Sequence, residues 1–172
     1  MIAILTVIPL LLIRYGLLAC VNKEALKRAA LFAPLIGREK AAFVVYQITT
    51  ILMLIYLFFL KIDAGARWFW AGMALYSLGL VLYAISTIYY AGPDINGMNT
   101  KGVFKLSRNP MYVAYFIIFF GCAVLTESWI LLGLLIVFQV SSHWIILSEE
   151  RWCLSQFGEA YQEYMGRVRR YV

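Results

Sequence analysis

Uncharged apolar runs alternate with short polar connections along this chain, and the runs have the lengths of membrane-crossing helices. Those at 41–60, 68–90 and 128–148 each reach the ~20 residues a helix needs to cross a bilayer. A run at 110–126 is shorter but within range, and 1–21 makes a fifth, interrupted by Arg14. The pattern predicts an all-α, multi-pass bundle of about five spans, the last two forming a hairpin, plus a C-terminal cytoplasmic helix. With no internal repeat, 1–172 reads as a single integral membrane domain. Residues 1–90 supply three transmembrane helices, and 91–172 supply a loop, the helical hairpin and the C-terminal helix.

The connections sharpen this outline. Residues 22–40 mix charge with an apolar 29–35 stretch, which predicts a short interfacial helix ending near Pro34, with Gly37 helping the turn. The 61–67 connection is short, so the second and third spans are antiparallel neighbours. Residues 91–102 are dense in turn formers, with Gly92-Pro93-Asp94 and Asn96-Gly97. The fourth span has a well-marked start. Asn109 suits an N-cap, and Pro110 suits the first helical position, where a missing N–H costs nothing.

Composition agrees with the pattern. The 172 residues are 63% hydrophobic and 14% charged, and the mean hydropathy is +0.80. A soluble domain of this length could not hide so much apolar surface. The first run has no basic start and carries Arg14 within it, so it reads as a retained helix, with Arg14 snorkelling or facing the bundle. The net charge of +6 reports topology rather than nucleic-acid binding. With five spans, the basic residues of 22–40, 91–109 and the C-terminal tail share one face, and the opposite face has only Lys61 and Arg67. The positive-inside rule then puts the N-terminus outside and the C-terminus in the cytoplasm. Compact loops favour a prokaryotic plasma membrane over the endoplasmic reticulum. Cys20, Cys122 and Cys153 are odd in number and not in metal-ligand spacing, so neither a disulfide framework nor a metal cage is expected.

Candidate chemistry gathers at the basic face. The hairpin brings Arg108 to Tyr112 and His143 to Glu150 to the same side of the membrane. His143 and Glu150 lie seven residues apart on one helical face, and Glu149 is offset by about 100°. Ionisable groups at a membrane boundary are costly unless paired or used. Carboxylates suit an amine-bearing ligand, turn backbone suits a purine edge, and aromatic and Met side chains suit a flat ring and a sulfonium. No dinucleotide, phosphate-loop or metalloprotease motif is present. These residues alone point to a polar ligand pocket at the cytoplasmic mouth of a helical bundle.

Two segments carry a resemblance. Arg108-Asn109-Pro110-Met111-Tyr112 is similar to the Arg-His-Pro-x-Tyr block of the isoprenylcysteine carboxyl methyltransferase family and related phospholipid methyltransferases. Glu149-Glu150, Leu154, Phe157-Gly158, Tyr161, Tyr164 and Val168-Arg169 resemble that family's second block. The likeness covers the C-terminal part of the chain, and the first three spans match in hydropathy only. The resemblance implies an integral membrane enzyme using S-adenosyl-L-methionine and releasing S-adenosyl-L-homocysteine. It also implies a cofactor pocket formed by the loop, the last two spans and the C-terminal helix. Asn96, Gly97, Met98 and Asn99 would line the adenosine side with Phe104 close by. Asn109, Pro110, Met111 and Tyr112 would hold the methionine and ribose, and Glu149 the polar end. Two positions depart from the pattern: Asn109 replaces the usual His, and apolar Ile145 stands where the carboxyl methyltransferases carry a substrate-contacting Arg.

Candidate catalytic residues follow. Arg108 would position an anionic head or carboxylate, Glu150 beside Glu149 would hold the cofactor's ammonium and ribose, and His143 would serve as base for an amine acceptor. The acceptor is expected to be lipophilic, entering from the membrane lipids. It would be an isoprenylcysteine-type carboxylate or, alternatively, an aminophospholipid methylated on nitrogen. The reading of a different class is a non-catalytic scaffold or small transporter, but Gly/Pro-broken repeats of the transporter kind are not seen.

Overall fold

The computed structural model describes residues 1–29, 32–94 and 97–171, with the side chain of Arg28 left aside. Helices account for the regular structure of these residues, apart from one isolated bridge between Ile2 and Lys61. We number them α1 (Ala3–Val21), α2 (Lys23–Ala29), α3 (Arg38–Phe59), α4 (Phe69–Ala91), α5 (Pro110–Leu125), α6 (Trp129–Phe157) and α7 (Glu159–Arg167). Four of them, α1, α3, α4 and α6, are long and apolar enough to cross a membrane, and α5 is a shorter apolar helix. The five-span expectation therefore stands, with α5 the marginal member.

Three details differ from the sequence pattern. First, α1 is not uniform: a 3-10 turn at Ala3–Thr6 leads into α-helix, and Leu12–Leu17 is a π-helical turn carrying Arg14. Second, α6 does not stop where its apolar run ends but continues to Phe157, because 149–157 keeps good helix formers until Gly158. Gly158 adopts φ 54°, a left-handed conformation that ends α6 and begins α7. Third, Asn109 does sit at the N-cap of α5, but its side chain makes no capping bond there. Its amide instead donates to the carbonyl of Arg170, 3.1 Å away.

The bundle is held by close backbone approaches and by satisfied hydroxyls. Helices α4 and α5 form the most extensive pair, followed by α3 and α6. Gly72 and Gly79 of α4 and Gly121 of α5 make the first pair possible. A Cβ on Gly79 would lie 2.7 Å from the Ile118 backbone nitrogen, and one on Gly121 would lie 2.6 Å from that of Tyr76. Small residues at helix crossings substitute for a hydrophobic driving force, which lipid does not provide. Thr49, Thr50, Ser86 and Thr87 return their hydroxyl protons to carbonyls one turn back.

Both ends of the bundle are tied. At one end the Ala3 amide donates to Leu60 and the Ile62 amide to Met1, which joins the start of α1 to the α3–α4 connection. The exposed Trp68, Trp70 and Trp129 flank this end, as interfacial aromatics do. At the basic end Arg151 donates to Glu39 at 2.7 Å and to the Pro34 carbonyl at 2.9 Å, clasping α6 to the start of α3. Asn22 caps α2 and also donates to the Ala91 carbonyl, fixing α2 against the exit of α4.

Candidate functional site

The loop from α4 to α5 is built around Asp94. Its carboxylate accepts from Thr100 and pairs with Lys101, and its backbone exchanges bonds with Gly97 and Met98. The hydrogen bonds from Lys101 and Thr100 hold the Asp94 carboxyl below the ordinary aspartate range. Gly97 takes φ 82° and approaches the Phe157 ring, where a Cβ would lie 3.6 Å from the ring edge. The loop is thereby carried to the junction of α6 and α7. Beyond it, Gly102 takes φ 56° directly against the Tyr89 ring, which leaves no room for a side chain. A 3-10 turn over Gly102–Lys105 then buries Phe104.

From α7, Tyr164 donates to the Phe104 carbonyl at 2.6 Å. Burial pushes the Tyr164 phenol up to about 12, so it keeps its proton and remains a donor.

Arg108 and Glu150 meet at the centre of this end. The Arg108 Nε and Nη2 lie 3.0 and 2.8 Å from one Glu150 oxygen, and Nη1 donates to the carbonyls of Met165 and Val168. Arg170 reaches the same carboxylate from the tail at 2.8–3.1 Å. Both side chains of the Arg108–Glu150 pair are nearly sealed from solvent, at 8% and 5% exposure. One buried carboxylate thus joins two arginines, and the backbone of Arg108 also donates to the Arg169 carbonyl. Ser107 and Asn109 both donate to the carbonyl of Arg170, and His143 Nδ1 lies 2.7 Å from the Tyr171 hydroxyl. Residues 168–171 are strapped across the start of α5 and the exit of α6.

Glu149 points elsewhere. The Tyr112 hydroxyl donates to it at 2.9 Å. One turn further into α5, Tyr115 shares a 2.7 Å hydroxyl contact with Tyr83, and Arg14 donates to Tyr115 at 3.0 Å. Asn99 carries a side-chain oxygen that is buried without a hydrogen-bond partner among the described residues. Next to this end, a cavity of about 140 Å³ is walled mainly by Leu82, Val103, Leu106, Pro110, Val113 and Tyr171.

Set against the sequence expectations, the structure joins Tyr112 with Glu149, and Arg108 with Glu150. Gly97, Met98 and Asn99 sit in the folded loop, Phe104 is buried beneath Tyr164, and Pro110 and Met111 contribute to the packed start of α5. Asn96 lies outside the described residues. Arg108, expected to meet an anionic acceptor, has a guanidinium occupied by Glu150 and two carbonyls. His143 touches Tyr171 rather than either glutamate, and Asn109 serves the tail. Among the described residues no group of His, Cys, Asp or Glu could hold a metal ion. The sequence pattern missed Arg170 and Tyr171, although an acid in a basic tail region was a signal that some arginine would seek it.

The sequence model of the phospholipid methyltransferase family matches residues 67–160, from the start of α4 into α7. This chain belongs to the phospholipid methyltransferase family. No curated protein and no solved structure matches it. Membership makes the protein an integral membrane methyltransferase. The match begins earlier than the C-terminal resemblance did, taking in the whole third span along with the loop, Arg108, Tyr112, Glu149 and Glu150. Arg14, Arg170 and Tyr171 fall outside it.

Proposed function

We propose that the protein transfers a methyl group from S-adenosylmethionine to the amine of a lipid headgroup that enters from the bilayer. The observation that carries this reading is the pairing of Glu149 with Tyr112 at the mouth of the bundle, beside the folded 94–102 loop. The donor set fits such a cofactor. The orphaned Asn99 oxygen can accept from an exocyclic amine. Glu149, with one protein donor recorded on it, has acceptor capacity left for an ammonium. When bound, S-adenosylmethionine supplies an electrophilic methyl on a sulfonium.

The chain's own residues do the rest. Tyr112 fixes the orientation of Glu149, while Asp94 with Thr100 and Lys101 fixes the loop that carries Asn99. Arg108, Glu150 and Arg170 act as positioning residues: they hold α5, α6 and the tail together around the site. An ammonium acceptor must shed a proton before its nitrogen can attack, and His143 is the titratable base candidate once its contact with Tyr171 opens. The cavity beside Pro110, walled mostly by aliphatic side chains, offers apolar space for a hydrocarbon chain.

A headgroup amine is favoured over a prenylcysteine carboxylate on two grounds. The family description names phospholipids, and fully buried Ile145 supplies no cation at the position where carboxyl methyltransferases have one. The test is calorimetric titration of S-adenosylmethionine into the detergent-purified protein, with Glu149→Gln alongside. Transfer to phosphatidylethanolamine and to a prenylcysteine in vesicles is then compared. Binding that Glu149→Gln abolishes, with transfer to the amine only, is the expected result. A folded protein that binds no S-adenosylmethionine would overturn the reading.

A further inference from the structure

Tyr171 belongs to two features at once. Its hydroxyl lies 2.7 Å from His143 Nδ1, and its side chain forms part of the wall of the cavity beside Pro110. Burial pushes the Tyr171 phenol above its ordinary value, so it keeps its proton and can donate to the imidazole. With Nδ1 accepting, a neutral ring carries its own proton on Nε2, and neither nitrogen is free to take another. The residue that closes one side of the cavity therefore also occupies the base candidate. The cavity itself opens toward lipid. Its wall residue Leu106 is 74% exposed, and Leu78, Val81 and Ile85, on the same face of α4 as Leu82, are exposed as well.

What holds Tyr171 in place is a non-helical strap. Helix α7 ends at Arg167, and the strap is then fastened through its backbone carbonyls. Val168 accepts from the Arg108 guanidinium, Arg169 from the Arg108 amide, and Arg170 from Ser107 and Asn109. The Arg170 side chain adds its bonds to Glu150. The two arginines on that carboxylate are not equivalent, since Arg108 is 8% exposed and Arg170 is 31% exposed. When Arg170 swings away, Glu150 keeps Arg108 as its counter-charge, and Arg170 moves into water rather than through the core. Opening therefore strands no buried charge, which would be the costly outcome. Arg170 makes the strap detachable, and Arg108 keeps α5 and α6 joined while it moves.

We propose that residues 168–171 form a latch, that a lipid hydrocarbon chain entering the cavity opens it, and that opening uncovers His143. A chain lying between Leu82, Val103 and Val113 competes with Tyr171 for the same apolar walls. Displacing Tyr171 breaks the His143 contact in the same movement, because one side chain makes both. The base candidate is uncovered when the cavity is filled and stays occupied when it is empty. This rests on the reading of His143 as the base for a headgroup amine, while the latch itself is detectable without methyl transfer.

His143 is the chain's single histidine, so its carbethoxylation by diethyl pyrocarbonate reads the latch directly. The protein is held in amphipol, which keeps detergent out of the cavity, and the rate is followed by ultraviolet absorbance and peptide mass. The unaltered protein should react slowly, and dihexanoylphosphatidylcholine, which brings chains but no reactive amine, should accelerate it. Arg170→Gln loosens the strap at a residue bonded to Glu150 rather than to His143, and should raise the basal rate about tenfold or more, the loss of a charge-assisted contact. Tyr171→Ala should react fast with or without the lipid. Tyr171→Phe keeps the ring and loses the hydroxyl, so it should react at an intermediate rate and still respond to lipid. Arg167→Gln removes the same charge from an exposed pair with Glu163 and should change nothing. A rate in the unaltered protein that lipid does not change, or equal effects of Arg170→Gln and Arg167→Gln, overturns the latch. If Arg170→Gln does not fold, the lipid response and the two Tyr171 variants decide the matter. S-adenosylmethionine titration of the unaltered protein tests the other reading separately: absence of binding removes the methyltransferase reading and leaves the latch to stand or fall on its own rates.

Discussion

Glu149 and Glu150 are neighbours in sequence with opposite surroundings. Glu150 is locked between Arg108 and Arg170, whereas Glu149 has the Tyr112 hydroxyl as its recorded donor. Substitution should separate them. Glu150→Gln strands the buried Arg108 guanidinium and releases the partly exposed Arg170; breaking a buried pair such as Arg108–Glu150 is destabilising by about 3–5 kcal/mol, so a lowered melting temperature in detergent is the expected readout. Glu149→Gln should melt close to the unaltered protein while losing S-adenosylmethionine affinity, and a large thermal effect there would deny its role as a ligand residue. Asp94 gives a pH dependence. Its carboxyl is held below the ordinary value by the hydrogen bonds of Lys101 and Thr100, so it stabilises the loop at every pH above the unfolded aspartate value of about 4. That contribution fades as the pH falls from there through the lowered value. Cofactor affinity should weaken across the same acid window, and Asp94→Asn should be weaker already at neutral pH and lack that part of the slope. At this scale the sequence pattern identified which residues cluster but not which are satisfied. The partner of Glu150 comes from Arg170, twenty residues on, and no local periodicity announces a contact made by a tail folding back.

At the scale of elements, apolar run length was a sound guide, because a helix in lipid must satisfy its backbone internally and so follows hydropathy closely. The start of α5 at Pro110 was legible for the same sort of reason, since proline is tolerated there and nowhere later in the helix. The exit of α6 was not legible. Hydropathy marks where a helix leaves the hydrocarbon, but the helix persists to Phe157 until Gly158 stops it. The π turn in α1 was also hidden, since no residue type encodes it. Helix pairing depends on glycine placement that looks unremarkable in a linear reading. Gly79→Ala would force a Cβ to 2.7 Å from Ile118, and overpacking of this kind costs about 1–3 kcal/mol. A depressed melting temperature is expected. Gly133→Ala, whose Cβ meets nothing within 4 Å, should leave melting little changed, and equal effects of the two would refute close packing of α4 on α5.

For the whole molecule, the decisive quantity is which way the bundle faces. The structure puts Met1, the 60–67 connection and the 126–128 turn at one end, tied by the Ala3–Leu60 and Ser128–Tyr56 contacts. At the other end lie α2, the 92–109 loop, α7 and the strapped tail, with most of the chain's cations. Positive charge within a few residues of span ends is retained on the cytoplasmic side, so we propose that the basic end faces inward. Chemistry argues the same way, because S-adenosylmethionine is an intracellular metabolite and Glu149, Tyr112 and Asn99 all lie toward the basic end. Labelling with a membrane-impermeant maleimide tests this directly. Cys20, Cys122 and Cys153 would be replaced by Ala, and single cysteines introduced as Ala64→Cys at the first end and Arg167→Cys at the second, both exposed positions. Intact cells should label the Ala64→Cys variant, and the Arg167→Cys variant should react only after permeabilisation. The opposite pattern would place the Glu149–Tyr112 pair on the side that S-adenosylmethionine does not reach, and the charge argument and the proposed cofactor site would fall together.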